Sequence, residues 1–255
     1  MAVHEVAQQG FGSEAATYER SRPSYPPDAV AWLVGNVGIT AGATVVDLAA
    51  GTGKLTRLLA PTGADVVAVE PVEGMRRVLA EVVGGVPVVA GTAEAMPFGA
   101  RTLDAVTIAQ AFHWFDADRA FAELARVLRS GGRVGIIWNA RDRSYDWVDQ
   151  AWAIMDRVEK RAPWRDHENW RESALGEHHG FGPLHPGTFH HEQRCAPEGV
   201  IDRFRGVSHI ASLPPDQRDA VLDELRVLVA THPDTRGRAE LVLPYRVDAY
   251  WCERT

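Results

Sequence analysis

Residues 45–53 read V-V-D-L-A-A-G-T-G: an apolar run with an acid near its end, then two glycines one residue apart, with a helical pattern from Lys54 onward. This is the pattern of a buried strand entering a tight nucleotide-binding turn. At Gly51 and Gly53 a side chain would keep the backbone away from a ligand, and glycine tolerates the positive φ that such turns often need. Asp47 falls at the carboxyl end of the strand, where open α/β sheets bind their ligands.

Two ligand classes use such a turn. A dinucleotide site asks for Gly-x-Gly-x-x-Gly, the third glycine letting helix and strand pack closely while the helix N-terminus faces a pyrophosphate. Thr56 occupies that third position, and Asp47 would repel a pyrophosphate. An early acid suits a cationic or hydroxyl-rich ligand instead. S-adenosylmethionine is such a ligand, with a sulfonium, an ammonium, a ribose diol and no phosphate. A second acid agrees: residues 65–70, D-V-V-A-V-E, form a short β-branched run ending in Glu70, near the spacing of roughly 20 residues expected of a ribose-binding acid. Glu70 is therefore expected to accept hydrogen bonds from both ribose hydroxyls. The competing readings are that Asp47 and Glu70 cap exposed strand ends, or that the sheet serves a nicotinamide-dependent oxidoreductase, against which Thr56 and Asp47 count.

A chain of 255 residues can bury an ample core. Its net charge of -7, from 27 basic and 34 acidic residues, provides no footprint for a phosphate backbone, so no nucleic-acid partner is expected and a small-molecule substrate fits better. Cys195 and Cys252 are too few for a disulfide framework. The N-terminus lacks a signal pattern, and no apolar run approaches about 18 residues, so no membrane partner is expected and the expected compartment is the cytoplasm.

The pattern along the chain predicts a helix over 28–37, then alternating strands and helices: strand 44–48, helix 54–60 stopped by Pro61, strand 65–70, helix 72–83, strand 86–90, strand 103–109, helix 116–129 capped by Asp116 and stopped at Gly131, and strand 133–138. Such alternation means a parallel doubly wound sheet. After Asn139 the pattern changes to helices near 145–161 and 214–230 around a loop-rich, histidine-rich middle, with strands at 187–194 and 240–251 expected to pair as an edge hairpin. The expected organisation is one domain over 1–255: a lid and helix at 1–40, a cofactor-binding core at 41–140, and cap helices with C-terminal edge strands at 141–255.

The ordered set F-G-S-E-A-A-T-Y-E-R-S-R-P-S-Y-P (11–26), D-L-A-A-G-T-G (47–53), V-E-P (69–71), G-T-A-E-A-M-P-F (91–98), A-F-H-W-F-D (111–116) and R-V-L-R-S-G-G (126–132) resembles the class I S-adenosylmethionine-dependent methyltransferases, in the type 11, trans-aconitate methyltransferase-like small-molecule branch. The resemblance spans nearly the whole chain. It implies a Rossmann-like, mostly parallel sheet with an antiparallel C-terminal edge hairpin and a helical cap, S-adenosyl-L-methionine as cofactor and S-adenosyl-L-homocysteine as product. It further implies that Asp47, Ala49, Gly51, Thr52 and Gly53 hold the methionine part, that Met75 packs on the adenine, that Thr92, Ala93 and Glu94 border its edge, and that Gln110 lies beneath the methionine carboxylate. Ser130 departs from the proline common before the paired glycines.

Methyl transfer is an in-line displacement at an activated carbon, so alignment and water exclusion are the protein's main tasks. Aromatic faces tolerate the sulfonium, and Tyr18, Tyr25, Phe112, Trp114, Phe115 and Trp138 are the candidates. Tyr18, Arg22 and Tyr25, interleaved with prolines, read as a lid. His113 could deprotonate a hydroxyl or amine, or only orient its loop. Arg22, Arg141 and Arg143 could present forked donors to a carboxylate, in keeping with the O-methylation of a small carboxylic acid that the resemblance suggests; methylation of a hydroxyl or amine, and a noncatalytic cofactor-binding protein, are the alternatives. His178, His179, His185, His190 and His191 lack the spacing of a metal site, so no metal is expected.

Overall fold

The computed structural model describes residue 19 and residues 22–158 and 180–255. Tyr18, His178 and His179 lie outside the described residues, as does most of the 11–26 segment.

Strands β1 (Thr44–Leu48), β2 (Asp65–Val69), β3 (Val88–Val89), β4 (Leu103–Ala109), β5 (Leu128–Arg141), β6 (His185–Cys195) and β7 (Leu241–Glu253) form one 7-stranded sheet in the order β3-β2-β1-β4-β5-β7-β6. The first five are parallel, while β7 runs antiparallel to both β5 and β6. The expected hairpin is present in register, Gly187 facing Ala249 and Arg194 facing Val242. The sheet is thus the doubly wound, mostly parallel architecture expected from the alternation.

The helices are α1 (Pro27–Val37), α2 (Thr56–Leu59), α3 (Glu73–Val82), α4 (Ala117–Val127), α5 (Asp146–Val158), α6 (Pro197–Arg205), α7 (Ser208–Ala211) and α8 (Pro215–Thr231). Their ends follow local chemistry. Pro27 opens α1, where a missing N–H costs nothing. Asp116 caps α4 by accepting from the Arg119 amide at 3.3 Å.

Several boundaries shift from the sequence reading, and three departures matter for the fold. The helix after the glycine turn is only α2, and Pro61 sits inside the 3₁₀ turn Ala60–Thr62 that follows it. Proline fits there because the first positions of such a turn need no amide donor. Helix α4 ends at Val127 rather than Arg129, and Leu128 already pairs with Leu103 as strand. The cause is tertiary: Arg101 and Thr102 donate to the carbonyls of Arg126 and Val127 at 2.9 Å, drawing the chain out of the helix. The middle expected to be loop-rich holds α6 and α7.

Alternation along β1 splits the core between the two faces of the sheet. Val46 and Leu48 pack with Ile108, Phe121 and Leu124 on one face, and Val45 packs with Leu33, Leu59 and Ile137 on the other. A separate cluster joins the cap: Trp147, Trp152, Phe204 and Leu225 close over Leu241, Leu243 and Tyr245 at the start of β7. Each such large apolar side chain contributes about 1.5–3 kcal/mol by leaving water. No helix among the described residues is long and apolar enough to cross a membrane.

Candidate active site

Strand β1 lies between β2 and β4, so chain order reverses there and the carboxyl ends of these strands flank a crevice, the place where open α/β sheets bind ligands. A cavity of about 290 Å³ occupies it. Ala49, Gly51, Thr52, Glu70 and Met75 line one part, and Thr92, Ala93, Glu94 and Gln110 continue that wall. Arg22, Tyr25, Trp114 and Phe115 join them, so most of the residues singled out from the sequence meet in one place.

The wall is conformationally strained. Ala49 has φ 54° and Gln110 φ 57°, both in the left-handed region. Each such non-glycine residue costs about 1–3 kcal/mol and persists only where its surroundings hold it. Here the Ala50 amide is tied to Val69 O at 3.0 Å and the Gln110 amide to Ile137 O at 3.1 Å. The two glycines of the turn serve different ends. Gly51 (φ +58°) faces open space, with nothing within 4 Å of a Cβ placed there. At Gly53 (φ +87°) the same atom would lie 2.7 Å from Val83 Cγ2, so its demand is packing of the turn on α3. Gly53 does not line the cavity.

Glu70 is the acid of this wall. It is buried, its Oε2 accepts from the Gly51 amide and its Oε1 from the Val72 amide, each at 2.8 Å, and burial raises its pKa against those two hydrogen bonds. Each oxygen keeps acceptor capacity for a ligand. Asp47 corrects the sequence reading: it is not on the cavity wall but fully buried beneath the turn. Its Oδ2 accepts from the Thr56 hydroxyl at 2.6 Å and its Oδ1 from the Thr107 hydroxyl at 3.1 Å, and burial pushes its pKa up to about 6. Thr56, in the position of a third glycine, thus ties α2 to β1. Glu19 pairs with Lys54 at 3.3 Å and also engages Thr52 and Arg57, so its carboxylate lies against the glycine turn.

Other expected residues fall elsewhere. His113, Phe112 and Trp138 do not line the cavity. His113 lies in the 3₁₀ turn Phe112–Trp114, with its ring centroid 4.9 Å from that of Trp114 and 6.2 Å from that of Trp138. Phe112 is core, packed on Phe121 at 5.6 Å. Arg141 is also absent from the wall: it stacks 3.7 Å over Trp152 and pairs with Asp156 at 3.2 Å, while Arg143 pairs with Asp156 at 2.9 Å. Both arginines hold the start of the cap through their shared partner Asp156 on α5. On the edge strand His190 is exposed and His191 half-buried, in the alternation expected of a strand. His185 stacks on Trp251 at 4.3 Å, and no group of three metal-binding side chains occurs among the described residues.

Several cavity residues had not been singled out as site residues, Asn139 and Arg203 among them. Asn139 lies near the carboxyl end of β5, and the rule that strand ends carry ligand groups could have found it. Arg203 comes from α6, and no motif signals it.

A methyltransferase-domain family model matches residues 46–136. An uncharacterized methyltransferase of Mycobacterium bovis is 40% identical over 235 residues, covering 92% of this chain and 91% of that protein. An uncharacterized methyltransferase-like protein of Schizosaccharomyces pombe is 31% identical over 99% of this chain and 98% of its own. In fold the chain is similar to phosphoethanolamine N-methyltransferase 2 of Haemonchus contortus, solved in complex with S-adenosyl-L-methionine (TM-score 0.57, 15% identity, 100% of this chain and 60% of that one). Sheet order, the Glu70 wall and these likenesses agree: the chain belongs to the class I S-adenosylmethionine-dependent methyltransferases of the type 11 group.

Proposed function

We propose that this enzyme transfers a methyl group to an oxygen of a small carboxylic acid. The observation that carries the reading is the composition of the described cavity wall, which includes Arg22 and Arg203 but no histidine or cysteine. A hydroxyl or amine acceptor has to lose a proton, whereas a carboxylate is already ionised. The acids on the wall are engaged: Glu70 by two amides, Glu94 by the Asp116 amide at 3.0 Å, and Asp116 by the Arg119 amide.

When bound, S-adenosylmethionine would supply a methyl group activated by its sulfonium, with the thioether of S-adenosylhomocysteine as the leaving group for transfer to an acceptor oxygen. The chain's residues do the rest by position. Glu70 takes the ribose hydroxyls on its remaining lone pairs. Met75 and Ala93, both buried, offer apolar contact to the adenine, and Thr92 and Glu94 border its edge. Gly51, Thr52 and Gln110 face the methionine end. Tyr25, Trp114 and Phe115 present ring faces that tolerate the sulfonium and exclude water. Asp47 and Gly53 act through the turn they hold.

A screen of small acids, phenols and amines with methyl-labelled cofactor tests the reading. The expected product is a base-labile ester. Products that are only ethers or methylamines would overturn the acceptor atom and leave the cofactor assignment intact.

A further inference from the structure

Among the described residues, Arg203 is the least explained charge. It is only 5% exposed, yet none of the described carboxylates pairs with it. Asp202, the neighbouring acid, faces Arg205 at 3.8 Å instead. Arg203 Nε donates to the Tyr245 hydroxyl at 3.0 Å and the guanidinium carbon lies 5.9 Å from that ring, while Nη1 is buried with no hydrogen-bond partner. Buried charges are ordinarily paired, because an unpaired one loses its hydration without return. Arg203 also lines the cavity, on the part of the wall that the cap supplies.

We propose that Arg203 anchors an anionic group of the acceptor, separate from the oxygen that is methylated. The inference rests on the reading of the acceptor as an acid, and narrows it to one with a second anionic group. A guanidinium on the reacting carboxylate would lower its nucleophilicity, which favours placing the anchored group and the methylated oxygen on different groups. Arg22 reinforces the positive wall: it lines the same cavity and its Nη2 donates at 2.9 Å to Gly206 O, the residue that ends α6. Asn139 adds neutral polarity there, its Nδ2 donating to Ser24 O at 3.0 Å and its buried Oδ1 having no partner.

Tyr245 is the positioning residue. Burial raises its pKa and so keeps the phenol protonated. The hydroxyl donates to Gln193 Oε1 at 3.0 Å and accepts from Arg203 Nε, which fixes the guanidinium from behind with β6 and β7 as support.

The test is titration calorimetry on the protein loaded with S-adenosylhomocysteine, using the straight-chain dicarboxylates from malonate to adipate and the monocarboxylates of equal length. Wild type is expected to favour a dicarboxylate by about tenfold or more, in the range for hydrogen bonds to charged groups. Arg203→Met should erase that preference and Arg203→Lys keep part of it. Affinity for S-adenosylhomocysteine should stay within about twofold in both variants. In turnover, Tyr245→Phe should raise the KM of dicarboxylates more than that of monocarboxylates and leave kcat unchanged, a difference that general loosening of the cap does not give. Three results overturn the proposal: no dicarboxylate preference in wild type, a preference that survives Arg203→Met, or a loss of S-adenosylhomocysteine affinity in Arg203→Met and Arg203→Lys, which would assign the guanidinium to the cofactor's own carboxylate. If turnover yields ethers or amines rather than esters, the acceptor-atom reading falls on its own, and the titration still decides Arg203.

Discussion

The two sides of the cavity handle buried charge in opposite ways. Under and along the sheet, each buried acid is met by the chain itself: Asp47 by the hydroxyls of Thr56 and Thr107, Glu70 by the amides of Gly51 and Val72. On the cap side Arg203 has a tyrosine behind it and an unmatched Nη1. A wall whose buried charges are satisfied is preorganised for a ligand that every member of a family shares. A wall with a charge left over gains its missing partner only when the right substrate arrives, which is where specificity is cheapest to build. The hydrophobic clusters divide in the same way, since the cap cluster around Phe204 is distinct from the sheet clusters.

The largest expected effect tests that division. Phe121 in the sheet core and Phe204 in the cap are both fully buried, so Phe121→Ala and Phe204→Ala should each cost about 3–5 kcal/mol of stability. Only Phe121→Ala should also weaken S-adenosylhomocysteine binding, while Phe204→Ala should raise the acceptor KM. Denaturant titration and calorimetry measure both, and equal losses of cofactor affinity would break the comparison.

The next effect is a pH dependence. The pKa of Asp47 rises from 3.8 to about 6 in the fold; at about 1.4 kcal/mol per unit, that is on the order of 3 kcal/mol. The sign follows from proton binding: the native carboxyl holds its proton more tightly than the unfolded one, so the contribution of this group to stability is highest at low pH. It declines as pH rises from about 4 to about 6 and is level above. Asp47→Asn removes that decline. The stability difference between wild type and variant should therefore change across pH 4 to 6 by a few kcal/mol at most, and parallel stability profiles would show that burial does not govern Asp47.

Glu70→Ala should weaken S-adenosylmethionine binding by about 1.5–3 kcal/mol, the range for hydrogen bonds to a charged group. Unchanged affinity in calorimetry would remove Glu70 from the ribose. Because Glu70 also holds the Gly51 amide, Glu70→Gln sharpens the result: an amide oxygen still accepts one of these bonds, so part of the affinity should return.

The sheet side was legible in the sequence because its signals are local. An apolar run, an acid and two glycines within 45–53 specify strand, turn and cavity with no knowledge of the rest of the chain. What failed there was finer. Asp47 reads as a ligand-facing acid, and only the tertiary positions of Thr56 and Thr107 reveal that it faces inward. Gly53 reads as a ligand contact, but its constraint comes from Leu79 on α3 and Val83 just past the end of that helix. On the cap side the signals are not local at all. Arg203 belongs to an ordinary amphipathic helix, and it reaches the cavity only because α6 packs on β7. Arg141 and Arg143, which follow a strand end directly, looked better placed and are taken by Asp149 and Asp156.

The smallest expected effect is at His113. It lies in the motif nearest the expected methyl position, yet it is absent from the cavity wall and stands beside the rings of Trp114 and Trp138. If the acceptor is a carboxylate, no proton has to move before methyl transfer. His113→Ala should then leave kcat within about threefold of wild type, well under 1 kcal/mol of barrier, with the acid limb of the pH–rate profile unchanged. A base acting on a hydroxyl or amine would behave otherwise: its loss costs about 10² to 10⁴ in rate and flattens that limb. Trp114, which does line the cavity, provides the control. Trp114→Ala removes a ring from the wall and His113→Ala does not, so a defect in Trp114→Ala with His113→Ala near wild type fits a cavity that works by enclosure. A rate collapse in His113→Ala with Trp114→Ala near wild type would instead place proton transfer at the centre of the reaction.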